Sequence, residues 1–186
     1  MNKKLYFILS LIFTVAICSC IFLFKDINYK NNFQKTKSQN VNGIVVKGDT
    51  TRYEVKFIKK VDGDTIKVKF NNKNLTVRYL NIDTPETVKP NTPVQKYGPE
   101  ASEFNENILK NAKKVELEFD VNKKFDKYNR ALAYVYADGK LVQEELLKEG
   151  LAEIKYVYAP DTRYLKRLKK AQNEAKSNKK NLWSER

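Results

Sequence analysis

Two acidic stretches carry residue types that could do chemistry. "VDGDT" sets Asp62 and Asp64 two positions apart around a glycine turn, at the mouth of a strand pattern, and "NIDTPE" sets Asp83 and Glu86 at the end of another. If these strands pair antiparallel through the Asn-rich turn "NNKN", the start of one lies beside the end of the other. Asp64 then meets Asp83 although 19 positions separate them. Converging carboxylates repel and lose hydration unless a cation neutralises them, and oxygen ligands of this kind suit Ca²⁺ or Mg²⁺ rather than a soft metal. Arg78 stands on the strand that ends at Asp83, and Arg130 follows "FDKYN" in another loop. Guanidiniums near such a metal suit a phosphate, because they fork onto its oxygens and offset charge gained in an attack at phosphorus. Taken singly, each residue reads more readily as a turn acid capping a strand end or an arginine in a surface ion pair. Their joint placement favours chemistry without excluding that plainer account.

The elements that must position these residues follow from apolar spacing. Tyr53 to Lys59, "TIKVKF" and "LTVRYLNI" read as a three-stranded meander, with Ile66, Val68 and Phe70 alternating against Lys67 and Lys69. Thr84 to Gly98 is polar and broken by prolines, a long loop of the kind that carries function. Pro99 starts a helix with Ala101, Phe104, Ile108 and Leu109 on one side. "KKVELEF" and "ALAYVYA" are two further strands, "LVQEELLKEG" a short helix stopped by Gly150, and "TRYLKRLKKAQNEAKS" a terminal helix facing the body through Tyr164, Leu165, Leu168 and Ala171. Five short strands with one helix between the third and fourth fit a small oligonucleotide-binding barrel better than a sandwich; a generic helix-plus-sheet domain is the alternative. Tyr134 and Tyr136 share one face of the fifth strand and are expected to be partly core. Tyr156 and Tyr158, flanking a valine in a polar segment, read as a base- or sugar-facing platform or as structural packing.

Composition narrows the chemistry further. The 186-residue chain has 36 basic and 22 acidic residues, a formal net charge of +14, so a polyanion is the natural partner. It contains no histidine, which excludes imidazole acid-base catalysis, a Ser–His–Asp arrangement and His-ligated zinc. Residues 1–25 read as a signal peptide or transmembrane anchor: Leu5 to Phe24 carries no charge and is flanked by lysines. Cleavage, retention and lipid modification at Cys20 all stay open. Both cysteines, Cys18 and Cys20, lie in this stretch, so no disulfide holds the rest together. Residues 26–50 read as a flexible polar linker, and 51–186 as the folded domain.

The motifs "VDGDTIKV", "VRYLNIDTPE", "KYGPEAS", "DKYNRALAYVYADGK" and "YVYAP" resemble the thermonuclease, or staphylococcal-type nuclease, family, from about Lys56 to "NLWSE" at Asn181 to Glu185. The resemblance implies an α+β domain, a five-stranded oligonucleotide-binding barrel with three helices. It further implies Ca²⁺-dependent, sugar-nonspecific hydrolysis of DNA and RNA that leaves 3′-phosphate ends. By motif, Asp64 and Asp83 resemble the carboxylate calcium ligands and Thr84 the main-chain ligand. Glu86 resembles the acid that activates or orients water, and Arg78 and Arg130 the phosphate-binding arginines. Lys127 and Tyr128 match contacts to a neighbouring phosphate, Tyr156 and Tyr158 match tyrosines beside the nucleotide, and Asp62 supports the metal site from behind. One departure is "KYNRALAY" where the family more often has "KYGRGLAY". Asn129 tolerates a left-handed backbone, whereas Ala131 would lower affinity if its position needed positive φ.

The expected partners are single-stranded DNA, RNA and locally open double-stranded DNA, with the membrane added if the N-terminal segment is uncleaved, and a monomer is expected. The expected location is secreted or anchored to the outer face of the cytoplasmic membrane. Two other functions stay in view: a non-catalytic nucleic-acid-binding barrel, and a surface module for other anionic polymers.

Overall fold

The computed structural model describes residues 39–88 and 90–185. The apolar N-terminal segment and most of the expected linker lie outside the described residues. The remainder of that linker is not a bare tether: β1 (Gln39–Val41) and β2 (Ile44–Val46) form an antiparallel hairpin whose Val41 and Val46 are fully buried. Asn42 and Gly43, both at positive φ, make the two-residue turn that suits such a hairpin.

The barrel grows from the meander β3 (Arg52–Asp62), β4 (Thr65–Phe70) and β5 (Lys73–Tyr79). Ile66, Val68 and Phe70 of β4 point inward and Lys67 and Lys69 outward, the alternation expected of a strand with one wet face. Asn71 and Asn72, at φ 47 and 58, turn β4 into β5, which is why "NNKN" ends one strand and starts the next. After β5 the chain does not run straight on as the alternation suggested. Asn81 adopts φ 63 and interrupts the strand, and Ile82–Asp83 becomes a separate short strand, β6. β7 (Val115–Glu118) pairs with β3, β8 (Ala131–Ala137) with β7, and β8 returns to β5 in a parallel pairing. Five strands thus close into an oligonucleotide-binding barrel, with β9 (Lys140–Leu141) turning back antiparallel on the end of β8 and β10 (Glu153–Ile154) pairing with β6.

Three helices complete the domain: α1 (Gly98–Asn111), α2 (Val142–Lys148) and α3 (Leu165–Ser177). α1 has proline in its first turn and buries Ala101 and Leu109 as expected, with Phe104 and Ile108 partly covered. The same face buries Asn105, which accepts a hydrogen bond from the Tyr79 hydroxyl (2.8 Å) and so ties the helix to the end of β5. α3 buries Leu168, Ala171 and Ala175. Tyr134 and Tyr136 are fully rather than partly buried, because Tyr164 at the start of α3 stacks edge-on against both, at 4.8 and 6.4 Å, and Arg52 covers the Tyr136 ring at 3.6 Å.

Candidate active site

The hairpin register creates the site. Thr65 pairs with Arg78, so Asp64, one residue earlier, stands beside the end of β5, where its carbonyl accepts from the Tyr79 amide. The turn at Asn81 and the short strand β6 then bring Asp83 and Thr84 to the same place. Arg78 lies between the two carboxylates: Nη1 is 2.8 Å from Asp64 Oδ2 and Nη2 is 2.7 Å from Asp83 Oδ1. Nη1 also donates to the carbonyl of Ile82 at 3.0 Å. Asp64 Oδ2 accepts from the Thr84 amide (2.9 Å) and hydroxyl (3.1 Å), and its Oδ1 accepts from the Thr65 hydroxyl. Burial raises the Asp64 pKa, the Arg78 charge and the Thr84 amide oppose that rise, and Asp83 adds to it.

Two glycines permit this closeness. A Cβ on Gly63 would meet Thr84 Oγ1 at 2.7 Å, and a Cβ on Gly98 would meet Thr87 Cγ2 at 2.7 Å. The β3–β4 turn and the start of α1 can therefore press against the loop that carries Thr84 and Glu86.

Beside the Arg78 cluster lies a second acidic pair. Asp62 Oδ1 accepts from the Thr87 hydroxyl (2.6 Å) and the Gly63 amide (2.8 Å), and the Glu86 carboxyl is its hydrogen-bonding neighbour. Burial is the main reason the Asp62 pKa is pushed up to about 6; Thr87 and Gly63 oppose the rise, and Glu86 and Asp64 add to it. Glu86 is half-buried. Its amide donates to Gln95 Oε1 and its carbonyl accepts from the Gln95 amide, both at 2.9 Å, so the two ends of the proline-rich loop are pinned together.

Arg130 is positioned by a different device. Asp126 Oδ1 accepts from the amides of Tyr128 and Arg130, and its Oδ2 accepts from Arg130 Nε at 2.7 Å. Asn129 takes φ 60, so asparagine fills the left-handed position as expected. Ala131 is not among the positive-φ residues; it opens β8 in register with Val77, which removes the concern about a missing glycine there. That register also sets Arg130 two residues before Leu132, the strand partner of Arg78. Lys127 Nζ and Arg130 Cζ lie 5.0 and 5.4 Å from the ring of Tyr128, which is exposed. Tyr156 is brought to the cluster, its ring centre 5.9 Å from Arg78 Cζ, while Tyr158 sits further along as an exposed side chain.

Four positioning residues escaped the sequence reading. Lys155 binds Asp83 Oδ2 at 2.9 Å through the β6–β10 pairing, and Asp126, Thr87 and Gln95 hold the arginine and the acids in place. Only Asp126 left a local signal, the Asx-turn spacing of "DKYNR". An open groove of about 490 Å³ runs past Asp83, Thr84, Gln95, Tyr97 and Lys155. The chemistry of the donor set fits a hard divalent cation. Asp64 and Asp83 already converge on one positive centre, and a dication would serve them wherever the Arg78 guanidinium gave way.

Comparison with known proteins agrees with this architecture. The family model for the staphylococcal nuclease homologue matches residues 76–185. The chain is 56% identical over 131 residues to the SPbeta prophage-derived endonuclease YokF of Bacillus subtilis (strain 168), covering 70% of this chain and 44% of that protein. It is 56% identical over 124 residues to endonuclease YncB of the same organism, covering 67% and 58%. It is 40% identical over 169 residues to the thermonuclease of Staphylococcus intermedius, covering 91% and 93%. The chain thus spans less than two thirds of either Bacillus relative but nearly all of the staphylococcal one.

Proposed function

Because this chain belongs to the staphylococcal nuclease homologue family, we propose that it hydrolyses phosphodiester bonds in single-stranded DNA, RNA and locally open double-stranded DNA. The reaction is sugar-nonspecific, depends on Ca²⁺ and leaves 3′-phosphate ends. The observation that carries the reading is Arg78 held between Asp64 and Asp83 with the Asp62–Glu86 pair alongside. A surface that only bound a nucleic-acid backbone would have no use for buried acids at its centre.

Asp64, Asp83 and the Thr84 carbonyl would hold the cation, which polarises the phosphodiester when bound. Arg78 and Arg130 bind the phosphoryl oxygens and offset the charge that builds there. Glu86 orients water and takes its proton as the oxygen–phosphorus bond forms in line. The bond to the 5′ oxygen breaks, that oxygen takes a proton from solvent water as it leaves, the phosphate stays on the 3′ side, and Glu86 returns its proton to solvent. An ordinary carboxylate is a weak base for water, so most of the acceleration falls to the positive groups. Lys127 and Tyr128 contact the neighbouring phosphate, and Tyr156 and Tyr158 flank the nucleotide. The working unit in this reading is a monomer.

The N-terminal apolar segment supports a secreted enzyme or one anchored to the outer face of the cytoplasmic membrane. Protease accessibility in intact host cells tests that location, and protein confined to the cytosol would refute it. A Ca²⁺ titration with gel-based cleavage of single-stranded DNA and RNA tests the function. Cleavage that rises with Ca²⁺ and stops with chelator is expected; full cleavage in chelator would overturn the metal assignment.

A further inference from the structure

The outward face of β3 and β4 carries an arrangement that opposes folding. Lys56 of β3 stands directly opposite Lys69 of β4, and Lys59 directly opposite Lys67. Like charges in facing cross-strand positions destabilise a sheet, and here two such pairs are adjacent. All four side chains are exposed, and none makes an ion pair among the described residues. Lys56 and Lys59 are three positions apart and would point to opposite faces of a regular strand. The register shift between Phe57 and Lys59 puts both in pairs with the outward lysines of β4.

This face continues into the active site. Along the β4–β5 pairing the positions in line on this face are Thr65 with Arg78, which are covered, then Lys67 with Thr76 and Lys69 with Asn74. The lysines therefore follow Arg78 in line, with successive same-face residues about 7 Å apart, the scale on which phosphates follow one another along an extended strand. Beyond Lys69 the row enters an open groove of about 840 Å³ between β3, the β4–β5 turn and the end of α1, where Lys113 adds charge and Glu54 is the single acidic lining residue.

We infer that this lysine ladder is a second contact surface for single-stranded nucleic acid, holding the phosphates of the strand whose scissile group lies at Arg78. The inference rests on the nuclease reading for its occupant. Continuity with Arg78 favours nucleic acid over an anionic lipid surface, which would need no line of charge leading to a reaction centre. A bound polyanion would also relieve the repulsion between the facing lysines.

The test uses the full chain and the variant Lys56→Gln, Lys59→Gln, Lys67→Gln, Lys69→Gln. A second variant, Lys140→Gln, Lys166→Gln, Lys169→Gln, Lys170→Gln, removes equal charge from exposed positions elsewhere. Affinity for a single-stranded oligonucleotide of about 12 nucleotides is measured by anisotropy in chelator, and hydrolysis of a dinucleotide is measured separately with Ca²⁺. Four lost phosphate contacts lower the salt slope by about 3, so over a roughly fourfold rise in salt the parent should lose about 50-fold more affinity than the ladder variant. Dinucleotide hydrolysis should stay within about twofold of the parent, because the ladder lies outside the group that reacts. The ladder variant should also melt no lower than the parent, since the facing charges are gone. Equal slopes in the ladder variant and the parent, or equal losses in the two variants, would overturn the inference. So would a ladder variant that loses preference for anionic over neutral vesicles while keeping its oligonucleotide affinity. Failure of the parent to cleave the dinucleotide would count against the nuclease reading alone, since the binding slopes judge the ladder independently.

Discussion

Lys155 Nζ lies 2.9 Å from Asp83 Oδ2 although 72 positions separate the two residues. The short β6–β10 ribbon makes the contact, pairing Asp83 with Glu153 and bringing Lys155 over the same edge. Half of the Asp83 carboxylate is thereby committed to a lysine and the other half to Arg78. A cation arriving at Asp83 must displace or share with Lys155. Replacing Lys155 with Met is therefore expected to tighten Ca²⁺ binding. The gain should be modest, up to about fivefold, because an exposed pair of this kind is worth only ~0.2–1 kcal/mol. Calorimetric titration of Ca²⁺ without substrate measures it, and weaker binding in the variant would show that Lys155 supports the site rather than competing for it.

Arg78 and Arg130 should fail in different ways. Either substitution to Gln is expected to lower kcat by about 10²–10³-fold, the loss seen when one donor to a developing oxyanion is removed. Arg78 also neutralises two carboxylates, one of them buried, and leaving them unpaired should destabilise the fold by about 3–5 kcal/mol in chelator. Ca²⁺ should restore much of that stability by replacing the missing charge. Arg130 pairs with Asp126 at a partly exposed edge, so its loss should change stability by less than ~1 kcal/mol with or without Ca²⁺. Paired melts and single-turnover rates separate the two cases, and an Arg78 variant as stable as the parent in chelator would contradict its structural part.

The meander, the α1 stripe and the meeting of Asp64 with Asp83 were legible because local signals agree with the fold. Ile66, Val68 and Phe70 alternate cleanly, Asn71 and Asn72 supply a turn, and that turn fixes which residues face each other. Arg78 was legible as a cation near the acids but not as a bridge between them. Its forked contact depends on Asn81, whose positive φ breaks a strand that looked continuous. Lys155 was invisible for a related reason: two-residue strands leave no periodicity, and their pairing joins distant segments. The β1–β2 hairpin had its signal in Asn42-Gly43, but the few apolar residues around it read as a polar tether until tertiary burial of Val41 and Val46 decided the matter.

Asp161 gives a pH dependence away from the metal site. Burial raises its carboxyl pKa; the Asn122 amide opposes that rise, nearby Asp120 adds to it, and Lys124 opposes it. The folded chain thus keeps this proton to higher pH than the unfolded chain, whose aspartate titrates near ~4. The contribution is full below that value and is lost as pH rises through the folded pKa. Asp161→Asn removes the titration while keeping an acceptor for the Asn122 amide, which donates to Asp161 Oδ1 at 2.7 Å. The variant should therefore gain stability relative to the parent as pH rises from about 4 to 7. Urea melts of both proteins across that range check the sign, and a difference that moves the other way would show that Lys124 outweighs burial.

Arg163, itself partly covered, ties the start of α3 to the barrel through two buried carboxylates. Its Nη1 is 2.7 Å from Glu118 Oε1 and its Nη2 is 3.2 Å from Asp120 Oδ1, and both carboxylates are buried. The same guanidinium donates to the carbonyls of Gly48 (2.7 Å), Asp49 (2.8 Å) and Phe119 (3.2 Å), so the segment after β2 and the end of β7 share one donor. Glu118 keeps a long contact to Arg52 at 3.5 Å and a forked hydrogen bond from the Tyr164 hydroxyl, but Asp120 loses its arginine if Arg163 is removed and keeps the Tyr134 hydroxyl and the Val121 amide as donors. Arg163→Met should destabilise the domain by about 3–5 kcal/mol, most of it from stranded buried charge rather than from the lost attraction. Arg163→Lys should recover only a part, because one ammonium cannot fork to two carboxylates and three carbonyls. If stranded charge is the cause, adding Asp120→Asn to Arg163→Met should return about 1–3 kcal/mol, a coupling that a double-mutant cycle in urea reads directly. Additive losses in that cycle would instead assign the damage to the orphaned carbonyls.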